Sequence, residues 1–357
     1  MDSAENRTPI VTKESKNRIV VDYEGKLSFK ERMKQKLKAS NTWITAVVTF
    51  FRFVLMLGVS FVILYPFVAR IAGSFMSMED VVDSTVSLIP KHPTLAIYQS
   101  IIAENHYWTA LGNTLVLSLA TAIIQTFVAC LVGYGLAKFK FKGNKLVMGM
   151  VIITMVIPHA TLELSLLQHF TQFDLLTVIA WDYPGIIELI TGDPLELSNT
   201  FSPMIILAIF GLGFKNGLYI YLLRQFFKGV PDELEESAYV DGSGTFRTFI
   251  QIILPLAVPM MITVFLFSFS WQWTDEFYTK LFFGQANNPE TKVWLMPDIY
   301  LVPETIEKSM KGFGGSALYS NVVQNTGGMM IIAPLIILYL FCQKYLVQGI
   351  ERSGLVG

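Results

Sequence analysis

The feature that most constrains this chain is a set of six apolar stretches, each close to the roughly 20 residues that a helix needs to cross a hydrocarbon core of about 30 Å. They run approximately from Ala46 to Val68, Leu111 to Ala137, Leu146 to Leu167, Phe201 to Leu223, Ile252 to Trp273 and Met329 to Leu346. Their apolarity is continuous. Lipid cannot satisfy free backbone groups, so such stretches predict helices, whereas barrel strands would alternate apolar and polar residues. The expected fold class is all-α, a polytopic membrane protein with six transmembrane helices. Composition agrees, because 52% hydrophobic against 15% charged residues is too apolar for a soluble domain of 357 residues. A net charge of −1 provides no field to attract nucleic acid, and no such partner is expected.

Orientation follows from where the cations sit. Nineteen Lys and Arg fall in the N-terminal tail, the loops after the second and fourth stretches, and the C-terminal end, against five in the intervening loops. Both termini are therefore predicted cytoplasmic. The chain divides into a basic tail (1–43), a six-helix transmembrane domain (44–350) and a short C-terminal tail (351–357). The tail carries ten Lys or Arg between Arg7 and Lys38, unlike a cleavable signal peptide. Residues 27–38 are either a basic helix lying on anionic lipid or a solvated segment. Asn6-Arg7-Thr8 matches a glycosylation acceptor but is placed on the cytoplasmic side and discounted. The outward loops, 73–108, 171–200 and 278–328, are long, and Trp181, Tyr183, Trp294, Tyr300 and Tyr319 favour partial order in the last two. No internal repeat is visible, which weighs against folds made of duplicated halves. Cys130 and Cys342 read as core residues, and His92, His106, His159 and His169 have neither metal-ligand spacing nor a triad context. No metal and no catalytic residue is expected.

The loop between stretches four and five, 230–255, carries the most specific chemistry. Asp232 is positioned to cap a short helix with Glu235 in a capping-box arrangement, and acidic residues suit the positive end of the helix dipole. Gly242 suits the left-handed conformation that ends such a helix, and Thr245 starts the next, which meets Pro255. A helix this short is marginal alone and must pack on something. Ser237 and Ala238 leave one side thin for close approach, while Glu235, Glu236 and Asp241 offer carboxylates to basic groups across an interface.

The spacing from Glu236 through Ala238 and Gly242 to Ile252, Leu254 and Pro255 resembles the EAA motif of ATP-binding-cassette (ABC) importer permeases, with Ser237 replacing the commoner alanine. Asp241-Gly242, Arg224-Gln-Phe-Phe and Val230-Pro231 are similar to the carbohydrate branch of that family, the MalG-like permeases. So are Asn113-Thr114, the run from Gly133 to Gly143, Trp273-Thr-Asp-Glu-Phe277 and the run from Gln343 to Ile350. The long basic tail and the enlarged segments 174–197 and 287–325 depart from the pattern. The resemblance implies one permease subunit of a type I importer in a bacterial or archaeal cytoplasmic membrane. It implies a second permease, as a heterodimer, two cassette ATPase subunits and an extracellular or periplasmic solute-binding protein. The solute would be a carbohydrate or related polar molecule, moved by alternating access. Glu235, Glu236, Ser237, Ala238, Asp241, Gly242, Ile252, Leu254 and Pro255 would form the coupling element docked in an ATPase cleft. The chain has no Gly-x-x-x-x-Gly-Lys-Ser/Thr loop, so it is expected to bind no cofactor itself, with ATP and Mg on the partner ATPases.

Charges at membrane depth tend to face a bundle or a wet cavity. Glu163 follows Pro158 in the third stretch, and Lys215-Asn216 sit among Gly211, Gly213 and Gly217 in the fourth, where the helix is expected to loosen. These groups are candidates to line a solute path or to pair with each other; the alternative is that Glu163 reaches the interface and Lys215 snorkels. Trp271 and Trp273 either stack on sugar rings or belong to an interfacial aromatic belt. Two other classes compete with the importer reading. An ion- or proton-coupled secondary transporter would use the buried charges but leave the loop without purpose, and a membrane scaffold would use only the loop.

Overall fold

The computed structural model describes residues 10–15, 18–22, 40–174, 185–284, 292–312 and 314–354. Contacts group Met1–Val68 into one unit and Ala69–Gly357 into a second. In the first, Ile10–Ser15 and Arg18–Asp22 pair as an antiparallel hairpin with Val11 opposite Val21. The remaining named elements are helical. Asn6, the stretch 27–38, Trp181 and Tyr183 lie outside the described residues.

All six apolar stretches are helical, but only four form continuous helices long enough to span. These are Trp43–Gly73 (span one), Tyr107–Lys138 (span two), Thr245–Trp273 (span five) and Ser316–Leu346 (span six). Span six starts well before the expected Met329, so much of the last outward loop is helix. The third stretch is not one straight span: Asn144–Val156 and the following helical segment His159–Thr171 meet at 97°. Pro158 explains the break. It lacks an N–H, and it pushes Ile157 into an extended conformation at φ −65°, ψ 121°. The fourth stretch also departs from expectation, dividing into Ser202–Ile209 and Asn216–Lys228. Here Gly211 at φ 72° and Lys215 at φ 60° take left-handed conformations that no α-helix can propagate. Span five contains a π-helical turn, Phe249–Ile253, just before Pro255. The wider turn absorbs a residue that cannot donate its backbone hydrogen bond.

Three apolar clusters hold the second unit together. One lies where spans two and five meet Asn216–Lys228, around Tyr134, Tyr219, Leu223, Phe227 and Ile253. A second joins spans two, five and six to the outward segments, with Ile97, Ile101, Met296, Ile299 and Trp273 at its centre. The third gathers Phe170, Leu207, Tyr278 and Phe282. Polar pins fix the outward segment 292–301 onto this frame. Asn113 donates to the Trp294 carbonyl at 3.0 Å, Thr114 accepts from the Met296 N–H at 2.8 Å, and Asn105 donates to the Leu301 carbonyl at 2.8 Å. Met296–Tyr300 and Glu304–Met310 are helical turns of the same segment, so the described part of this loop holds regular structure, in line with the partial order expected from its aromatic residues.

Candidate functional site

The loop after Asn216–Lys228 folds into the short helix Glu233–Val240 and then turns into span five. Its C-terminus matches the sequence expectation. Gly242 has φ 83° and donates to the Tyr239 carbonyl, while Ser243 donates to the Ala238 carbonyl at 2.9 Å, closing orphan acceptors of the last turn. The N-terminus differs: Asp232 makes no capping hydrogen bond, so the expected capping box is absent. The reason is a stronger competitor. The Lys138 ammonium at the end of span two lies 2.6 Å from the Asp232 carboxylate, 2.6 Å from the Val230 carbonyl oxygen and 3.4 Å from Glu235. That ammonium holds the Asp232 carboxyl below its ordinary value. The carboxylate is thus bonded to a full cation, which draws it away from the N–H groups of the helix.

Glu235 is likewise drawn inward. Its carboxylate accepts a 2.6 Å hydrogen bond from the Tyr134 hydroxyl, and the residue is only 7% exposed. Ala238, on the same face, is also buried. Glu235, expected on the docking side, therefore faces this chain's own span two, because Lys138 and Tyr134 offer the nearest partners for its carboxylate. Ile252 and Leu254 pack against the core cluster at the inner end of span five, and Pro255 is exposed. Their place is at the root of the loop rather than on its tip.

The opposite face is free among the described residues. Glu236, Ser237 and Asp241 are exposed there, and Ser237 donates to the Glu233 carbonyl in its own helix. The same loop exposes Val240 at 87% and Phe246 at 75%. These two large apolar residues were not singled out from the sequence. Their signal was available, since each is an apolar side chain in a polar loop outside any apolar stretch. An acidic helix with exposed apolar flanks has the character of an interface core with a charged rim.

A second feature lies between the breaks of spans three and four, where a cavity of about 490 Å³ is lined by residues including Pro158, His159, Phe214, Lys215, Asn216 and Tyr278. Asn216–Lys228 presses close to Asn144–Val156 here: a Cβ on Gly217 would fall 2.5 Å from the Thr154 hydroxyl and 2.9 Å from the Val151 carbonyl. Lys215 and Asn216 are thus brought together as expected. Glu163 is not. It is exposed at the start of Glu163–Thr171, outside the cavity lining, and forms no ion pair with Lys215. The Lys215 ammonium instead lies 5.1 Å and 5.2 Å from the ring centroids of Phe214 and Trp271. Trp271 is partly exposed, whereas Trp273 is buried and donates to the Ile331 carbonyl at 2.9 Å. Trp273 is a core residue tying span five to span six, neither belt nor sugar platform.

Just beyond span five, Asp275 is buried, with Oδ1 accepting from the Tyr278 N–H and Oδ2 without a partner. Burial pushes its carboxyl up to about 7, against backbone N–H groups of Tyr278 and Phe277 that favour the ionised form. A folded value above the unfolded one penalises the folded state as the group ionises. The penalty is absent below about pH 4, grows as pH rises and is complete above about pH 7. Asp275→Asn is therefore expected to raise the melting temperature of the purified protein by a few degrees at pH 8, with the gain shrinking toward pH 5. An equal shift at both pH values in a thermal melt would contradict this account.

Residues 125–352 match the family described as binding-protein-dependent transport system inner membrane component. The chain is 25% identical over 328 residues to the arabinooligosaccharides transport system permease protein AraQ of Halalkalibacterium halodurans, covering 91% of this chain and all of that protein. It is 24% identical over 310 residues to the galactooligosaccharides transport system permease protein GanQ of Bacillus subtilis, covering 86% and 95%. Among solved structures, a bacterial ABC transporter involved in the import of the acidic polysaccharide alginate aligns with TM-score 0.55 and 20% identity, covering 86% of this chain and 98% of that one. That likeness is one of fold.

Proposed function

From the premise that the chain belongs to the binding-protein-dependent transport system inner membrane components, a family of transport subunits, we propose that it is the permease of an ABC importer for carbohydrate, working by alternating access. The saccharide class rests on the two oligosaccharide permeases it resembles along most of its length. Both termini are read as cytoplasmic from the distribution of Lys and Arg. A second permease, two ATPase subunits that hold ATP and Mg, and an extracytoplasmic binding protein complete the machine.

One observation carries the mechanical part of this reading. The loop helix Glu233–Val240 is fastened to span two on one side and, among the described residues, bare on the other. A lever needs both properties: a rigid attachment to the moving span and a free face for the subunit that drives it. Glu236 and Asp241 would meet basic groups of the ATPase, and Val240 and Phe246 would fill apolar hollows beside them. Closure of the ATPase pair would then pull on Tyr134 and Lys138 and so on span two.

Purification of the complex tests this. A cassette ATPase is expected to co-purify, and ATP is expected to drive uptake; a complex without one would end the proposal and favour a secondary transporter. Glu236→Lys places a cation where an interface of basic groups is inferred, at an exposed site with no partner among the described residues. Like-charge juxtaposition at an interface costs several kcal/mol. Co-purified ATPase is therefore expected to fall by about tenfold or more while the permease still reaches the membrane, and normal recovery and uptake would count against the docking face.

A further inference from the structure

We propose that the cavity at the breaks of spans three and four recognises the negative charge of an anionic saccharide, an inference that rests on the transport function above. Asn144–Val156 and Asn216–Lys228 each have 13 residues, about 20 Å at 1.5 Å per residue, which is too short for a hydrocarbon core of about 30 Å. With its other end at one membrane face, each helix carries Val156 or Asn216 only about two-thirds of the way across that core. Irregular backbone is tolerated at that depth where it lines a cavity, and the N-terminus of a half-helix there attracts anions.

The helix end does not stand alone. Asn216 is 1% exposed and lines the cavity, yet among the described residues neither its amide nitrogen nor its amide oxygen has a partner. A buried amide left unpaired is costly, and a turn of the Asn216 side chain toward a polar ligand in the cavity would relieve it. Lys215 adds a full positive charge at the same helix end and makes no ion pair among the described residues. The ring faces of Phe214 and Trp271 hold its ammonium in place without neutralising it. A lysine, an unsatisfied amide and the positive end of a helix converge on one space, and all three favour an anion. His159, Phe214 and Tyr278 line the same cavity with ring surface suited to the apolar side of a sugar.

The permease–ATPase complex, held in nanodiscs without its binding protein, is titrated by calorimetry with digalacturonate, uncharged galactobiose and galactose 1-phosphate. Wild type is expected to bind digalacturonate at least about tenfold more tightly than galactobiose. Lys215→Arg keeps that preference, and Lys215→Met reduces it to within about twofold. Galactose 1-phosphate bound as well as digalacturonate would identify charge itself as the recognised feature, and poorer binding would identify the carboxylate. Equal affinity for the charged and uncharged sugars, no binding of any of the three, or an unchanged preference in Lys215→Met would overturn the inference. If the complex nonetheless retains its ATPase and ATP-driven uptake, the transport function stands and only the anion site falls.

Discussion

Gly242→Val is expected to cut ATP-driven uptake by about tenfold or more while leaving the membrane spans folded. At φ 83° valine sits in a region closed to β-branched residues. Nothing lies within 4 Å of the position its Cβ would occupy, so crowding contributes no part of the effect. The cost is backbone strain, of order 1–3 kcal/mol, relieved when the turn opens and the end of Glu233–Val240 frays. A fraying helix transmits no force to span two. Gly242→Asn is the control, since asparagine tolerates the left-handed region. Uptake in vesicles, with membrane level measured alongside, should fall for valine and largely persist for asparagine. Equal uptake by both variants would show that the turn is not part of the coupling path.

Lys138→Met is the second large effect. The Lys138 side chain is 7% exposed and that of Glu235 is 9% exposed, so removing the cation strands a buried carboxylate with only the Tyr134 hydroxyl as partner. Breaking a buried pair in this way costs about 3 kcal/mol or more. The loop also loses the tie from Lys138 to the Val230 carbonyl. We expect loss of coupled uptake and increased protease cleavage in residues 230–244. Adding Glu235→Gln to Lys138→Met removes the stranded charge and should recover part of the protease resistance, whereas Glu235→Gln alone should be mild. If the double variant is no better than Lys138→Met, the buried carboxylate is not what destabilises the loop.

The two sites differ in how much of them was legible in the sequence. Gly242 was readable because a left-handed turn after a short acidic helix has few chemical solutions. The facing of that helix was not. Glu235 and Glu236 are adjacent carboxylates with the same intrinsic preferences, and what separates them is the position of Tyr134 and Lys138, about a hundred residues earlier in the chain. The same holds for Trp271 and Trp273. Trp273 packs with Phe269 and Met296 and donates to the Ile331 carbonyl on span six, whereas Trp271 is left partly exposed. The glycines around Lys215 signalled a loosened helix, but not that the break would face the one caused by Pro158 across a cavity.

The sequence by itself determined that this chain lives in lipid, that it forms helices there, and that one polar loop carries an acidic helix ended by glycine. Those properties follow from local rules: the length of apolar runs against bilayer thickness, the need to satisfy every backbone group internally, and the backbone freedom of a single residue. Tertiary structure alone decided which carboxylate turns inward, which tryptophan is buried, and that two interrupted spans enclose an unsatisfied amide beside a lysine. Each of these is a matter of which distant partner arrives within hydrogen-bonding distance, and no local rule encodes that.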